Sequence, residues 1–139
     1  MPHAPANPSP ASGRVEVKRT LRQADFDRFA RLSGDHNPIH VDPVFAAASR
    51  FGATVSHGML LFSALRGLLS RHYPNARLDL QDVKFPAPAY ADETLTLVLE
   101  PQGPAQDGEL RLATHVIKAD GRRCLEGHCR LTLTAEETP

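Results

Sequence analysis

Between Gly58 and His72 the chain carries Met59, Leu60, Leu61, Phe62, Ala64, Leu65, Leu68 and Leu69, so a helix here, stopped by Pro74, is apolar on almost every side. Such a helix is stable in water only when protein surrounds it. The apolar stretch from Met59 to Leu69 is broken by Ser63, Arg66 and Gly67 and is too short to cross a bilayer. The cover must therefore come from the rest of the chain. With 139 residues, 41% of them apolar and 23% charged, there is material for one domain around one core.

The cover reads mainly as strands. Val15 and Val17 alternate with charges over residues 14–19, the period of a half-buried strand. Beyond the apolar helix come four more strand-like runs, over residues 78–85, 93–100, 109–118 and 123–134, with Leu95, Leu97 and Leu99, Leu110 and Leu112, and Leu131 and Leu133 on alternate positions. Pro86-Ala87-Pro88, residues 101–108 and Asp120-Gly121 punctuate them. Four consecutive strands most simply form an antiparallel meander. Thr20 and Gln23 have capping-box spacing ahead of a helix over residues 21–32, with Phe26, Phe29 and Ala30 on its apolar side. Residues 44–49 can form a short helix. The expected architecture is α+β: one domain over residues 14–139, with a long buried central helix wrapped by a curved antiparallel sheet.

Other features bound the function. Sixteen basic residues balance sixteen acidic ones, leaving no summed field to draw nucleic acid or an anionic membrane. Residues 1–13, with four prolines and no apolar middle, read as a disordered leader and not as a secretory signal, so a cytoplasmic location is expected. Cys124 and Cys129 are five apart in one strand, which sends them to opposite faces, and they lack the spacing of a zinc site. Both are expected to be reduced and structural. His115 and His128 are expected to be packed or solvated on the sheet, and Arg122 and Arg123 to be solvated charges of a turn.

The segment Asp35-His36-Asn37-Pro38-Ile39-His40-Val41-Asp42 cannot continue the preceding helix, because Pro38 has no amide hydrogen and restricts Asn37. It is expected to be an irregular loop holding Asp35 and His40 close together. A carboxylate and an imidazole can share the work of adding water to a double bond conjugated with a carbonyl, one taking a proton from water and the other delivering one to the α-carbon. The negative charge that grows on the carbonyl oxygen needs a donor, and the first amides of the apolar helix provide one. Gly58 is the candidate, since without a side chain it lets a thioester approach closely.

The run from Ser33 to His40, with Asp42, Phe45-Ala46-Ala47 and His57-Gly58-Met59-Leu60 after it, resembles the MaoC-like family of (R)-specific enoyl-CoA hydratases. The resemblance is strong over residues 20–91 and agrees only in pattern beyond them. It implies a hot-dog fold and reversible hydration of trans-2-enoyl-CoA to (R)-3-hydroxyacyl-CoA, with no metal or other cofactor beyond the CoA thioester that is the substrate. It implies that Asp35 and His40 are the catalytic pair, that Gly58 is the helix-start glycine, and that Asn37 holds the loop and orients the pair. A homodimer with acyl-CoA near the subunit interface is implied too. Met59, Phe62 and Leu65 are candidates for lining the acyl tunnel. The chain departs from several relatives at Arg66, where they have serine. A phosphate contact from Arg50, Arg66 or Lys84 is conceivable, with nothing in the spacing to choose among them.

Two alternatives share the fold: an acyl-CoA thioesterase, and a non-catalytic subunit that binds acyl thioesters. Paired Asp35 and His40 favour hydration over hydrolysis, which can proceed with one base, and a binding subunit is expected to have lost the pair. Metal binding by Asp35, His36, His40, Asp42 and His57 is disfavoured because Pro38 opposes the helical spacing that would align His36 with His40. A nucleophilic Ser33 or Ser56 is disfavoured because no G-x-S-x-G elbow is present.

Overall fold

Alternation of Val15 and Val17 with charges produces the first strand, β1 (Val15–Thr20). It is followed by α1 (Gln23–Ser33), α2 (Pro38–Val41), α3 (Pro43–Ala47), α4 (Gly58–His72), β2 (Arg77–Lys84), β3 (Thr94–Pro101), β4 (Glu109–Ile117) and β5 (Arg123–Thr132). The computed structural model describes residues 13–134, so the expected leader lies, apart from Gly13, outside the described residues.

α4 runs over the expected span. It ends where the Tyr73 N–H donates to the Leu69 carbonyl, one residue before Pro74. Leu61, Leu65, Leu68 and Leu69 form its buried side, packed in one core with Leu97, Leu112 and Leu125 from three strands. The opposite side is not covered: Met59 is 52% exposed, and Leu60 and Phe62 are half-buried. A single chain thus wraps only part of this helix, short of the all-round burial its apolarity implies. Among the described residues no helix is long and apolar enough to cross a membrane.

The sheet is antiparallel throughout, in the order β1-β3-β4-β5-β2. β3, β4 and β5 form a meander, but β2 does not lie beside β3 as the simple reading expects. It pairs with β5 at the far edge, from Arg77 opposite Thr132 to Lys84 opposite Glu126. The cause lies in residues 85–93. Pro86 and Pro88 have no N–H with which to close a hairpin, and the segment is tied to the approach to α4, where the Ser56 N–H donates to the Ala89 carbonyl at 2.8 Å and Val55 bridges Tyr90. The chain is therefore carried across the molecule instead of folding back. A curved sheet laid around one helix is the hot-dog arrangement.

Two local expectations are corrected. α1 starts at Gln23, because Thr20 stays in β1; the Asp25 carboxylate accepts the Arg22 N–H at 2.8 Å, and Gly34, with φ of 82°, ends the helix in a left-handed cap. Cys124 and Cys129 both face the core, at 0% and 2% exposure. The β4–β5 register shifts between Val116, opposite Leu125, and Ile117, opposite Arg123, so Cys124 is the extra residue of a bulge that breaks the two-residue alternation. Both cysteines are free. His115 is buried at 8% exposure while His128 lies in the exposed part of β5.

Candidate active site

Asp35 follows the left-handed Gly34 and begins a chain of local hydrogen bonds. Its Oδ1 accepts the Asn37 N–H at 3.2 Å, and the Oδ1 of Asn37 accepts the Ile39 N–H at 3.1 Å, capping α2. The segment is therefore partly helical, contrary to the reading of an irregular loop. Pro38 occupies the first helical position, where a missing N–H costs nothing. The Asn37 side chain acts on the turn that carries His40, and its recorded bond is to that turn and not to the dyad. Asp42 closes α2 and opens α3, its Oδ1 accepting from Val44 and Phe45 at 3.1 Å.

The turn brings His40 against Asp35. His40 is buried, and its Nδ1 lies 2.8 Å from the Val55 carbonyl oxygen. A carbonyl only accepts, so Nδ1 carries a proton and in the neutral ring Nε2 presents its lone pair. That Nε2 is 3.8 Å from Oδ2 of the exposed Asp35. The gap is too long for a direct hydrogen bond, and it suits one small donor held by both.

A third side chain, whose contacts with the pair no spacing revealed, completes the arrangement. His57, 2% exposed, donates from Nε2 to the main-chain carbonyl of Asp35 at 2.9 Å. Its ring stacks on that of His40 with centroids 3.9 Å apart, and Phe29 meets it edge-on at 4.9 Å. Its Nδ1 is buried without a hydrogen-bond partner. Burial pushes the His57 pKa down from the usual imidazole range, opposed in part by the bond to Asp35. The available signal was its place directly before Gly58, because the partner carbonyl is 22 residues away in the chain.

Gly58 is the first residue of α4, so its N–H and that of Met59 belong to the first turn, which has no helical carbonyl to serve. The helix dipole adds positive potential there. The structure gives a further reason for glycine. A Cβ at this position would stand 2.8 Å from Cε2 and Cζ of Phe85, so the aromatic ring occupies the space a side chain would need.

Two cavities meet at this point. One, of about 330 Å³, is lined by His40, Val55, Gly58, Leu61, Phe85 and residues 86–89, with Arg50, Phe51 and Cys124 also on its wall. The other, of about 350 Å³, is lined by Phe29, Ser33, Asp35, His57, Gly58, Met59 and Phe85. Met59, a candidate for the acyl tunnel, is on the wall of the second. Phe62 and Leu65 line neither cavity, and Leu65 is buried in the core; Leu61 lines the first. Arg66 bonds along its own helix, Nη1 donating to Ser70 Oγ at 2.7 Å.

Asp35, His40 and His57 also place ligand-type atoms within 4.8 Å of one another. One nitrogen of each ring is already bonded to a main-chain carbonyl, and Asp42 is engaged in capping α3. What remains free at the centre is Asp35 Oδ2 and the second nitrogen of each ring, His40 Nε2 and His57 Nδ1, beside helix-start amides, a set suited to proton transfer next to a developing oxyanion.

A family model described as MaoC like domain matches residues 7–120. An (R)-specific enoyl-CoA hydratase from Aeromonas caviae is 30% identical over 123 residues, covering 86% of this chain and 92% of that protein. A mitochondrial 3-hydroxyacyl-[acyl-carrier-protein] dehydratase from Arabidopsis thaliana is 37% identical over 81 residues, which are 58% of this chain and 49% of that protein. Among solved structures, the unliganded R-hydratase PhaJ1 from Pseudomonas aeruginosa is similar with a TM-score of 0.82 at 26% identity, covering 87% of this chain and 80% of that one.

Proposed function

The chain belongs to the MaoC-like domain family, and from that premise we propose that it catalyses reversible addition of water to a trans-2-enoyl-CoA, giving the (R)-3-hydroxyacyl-CoA. The observation that carries the reading is the facing pair: Asp35 Oδ2 and His40 Nε2, 3.8 Å apart, with the other nitrogen of His40 committed to Val55. Two acceptors that face each other across this distance are both satisfied by one water donating to each. That water is held with its oxygen lone pairs directed away, toward the β-carbon of a substrate.

In the proposed reaction a water O–H bond breaks as the oxygen bonds to the β-carbon, and one member of the pair takes the proton. The electrons of the double bond move to the carbonyl oxygen, where the first-turn amides of α4, Gly58 foremost, offset the charge. The member that took the proton gives it to the α-carbon, collapsing the enolate, while the other holds the remaining O–H of the water, so that both end as they began. Every acid, base and oxyanion donor belongs to the chain and the thioester is its own electron sink, so the chemistry calls for no cofactor. The R hand of the product is taken from the relatives' names.

A homodimer is part of the same proposal. The uncovered side of α4, with Met59 half-exposed, supports a second copy as its cover, and light scattering should give twice the mass of the chain.

The test supplies purified protein with crotonyl-CoA and follows loss of enoyl absorbance and release of free thiol in parallel. Absorbance loss without thiol is the expected result. Thiol release would make the protein a thioesterase, and the absence of both signals over a range of chain lengths would make it a binding subunit.

A further inference from the structure

We infer that the ring of Phe85 covers the helix-start amides and must leave its seat before a thioester carbonyl can reach them, which makes this side chain a gate to the site. The identity of the ligand rests on the function proposed above; the motion does not.

The first support is contact. The ring atoms Cε2 and Cζ lie where a methyl group on Gly58 would be overlapped. A carbonyl oxygen accepting from Gly58 N–H has to approach through neighbouring space. The second is connectivity. Asp35 opens on one cavity and His40 on the other, although their reactive atoms are 3.8 Å apart. A substrate whose β-carbon meets a water held by both atoms lies where the two volumes meet. Among the described residues only Gly58 and Phe85 line both cavities, and of the two only Phe85 has a side chain that can move.

The third support is freedom. Phe85 is 43% exposed and stands immediately after the last residue of the edge strand β2, outside the packed core of α4 and the sheet. Rotation toward solvent disturbs neither. Such rotation uncovers apolar surface, so ligand binding works against the cost of unseating the ring. Truncating the ring removes that cost, which fixes the sign of the effect. Were Phe85 a fixed wall that contacts the bound acyl group, truncation would weaken binding.

Butanoyl-CoA, which has no double bond to hydrate, is the probe. By titration calorimetry Phe85→Leu and Phe85→Ala should bind it about three- to tenfold more tightly than the parent protein. Equal or weaker binding in Phe85→Leu overturns the inference, and this milder variant decides the matter if Phe85→Ala does not fold. A second readout uses the absence of tryptophan from the chain. In Phe85→Trp the indole is the sole tryptophan, and its quenching by acrylamide should rise when butanoyl-CoA saturates the protein. A fall in quenching would show that the ring stays at its seat under the ligand. The crotonyl-CoA assay on the parent protein separates the two proposals. Tighter binding in the variants without hydration by the parent would sink the reaction and keep the gate; hydration by the parent with weaker binding in the variants would do the reverse.

Discussion

At position 40 only one ring nitrogen is available for chemistry, because the other is held by Val55. The free nitrogen faces a carboxylate whose own recorded bond is a short reach to Asn37. Replacing Asp35 by Asn preserves that local turn but removes the carboxylate, and His40→Ala removes its partner. Each should lower turnover of crotonyl-CoA by about a hundredfold or more, while the melting temperature of Asp35→Asn stays near that of the parent. Near-normal rates in both variants would dismiss the assignment. The buried thiols present the opposite case. Burial raises Cys124 to about 11 and Cys129 to about 12, so both remain protonated although Cys124 borders the cavity. Iodoacetamide at pH 8 should label neither in the native protein and both once it is unfolded, as mass spectrometry would show. The nearness of Asp35 to His40 and the place of Gly58 at the start of α4 were readable because these residues belong to short contiguous motifs. His57 and Phe85 were not assigned these contacts, since His57 meets a carbonyl far along the chain and Phe85 covers Gly58 from across the fold.

Among the elements, the span of α4 was legible because a helix apolar on all sides is recorded locally, residue by residue, but the side of it left uncovered was not. The position of β2 was not, because strand order depends on where a connection is anchored, and residues 85–93 are fixed by partners elsewhere in the chain. One of these is Lys118, 3% exposed, which donates from Nζ to the Pro88 carbonyl at 2.6 Å, lies 3.6 Å from Glu93 and sits 5.0 Å over the Tyr90 ring. Removing the charge leaves the Pro88 carbonyl without this donor and the partly buried Glu93 carboxylate without its cation. Lys118→Met should therefore cost about 2 kcal/mol in urea unfolding. An unchanged midpoint would mean that the connection holds without it. Asp42 similarly serves two short helices at once. Asp42→Ala should cost about 1 kcal/mol, the value of one helix cap.

For the whole molecule, acid is the expected weakness. Burial is the leading cause that holds His57, His72 and His115 below the ordinary imidazole pKa. As pH falls through about 6.5 the unfolded chain takes up protons that the folded one resists, so stability declines with acidification. Differential scanning calorimetry should show the melting temperature dropping between pH 7 and pH 5, with a shallower drop in His115→Gln. A flat profile over that window would show that these rings titrate normally in the fold.

The sheet order has a consequence in time. Among the described residues β1 pairs only with β3, and the contact of Arg14 with Glu100 joins positions 86 residues apart. A ribosome releasing this chain presents β1, then every side chain of the proposed reaction centre, well before the strands that complete the barrel-like wrap have been synthesised. The earliest strand waits unpaired, its amide edge open to strangers, until late synthesis delivers its neighbour. Such distant closure makes for slow maturation, and the nascent chain is most open to aggregation during that interval.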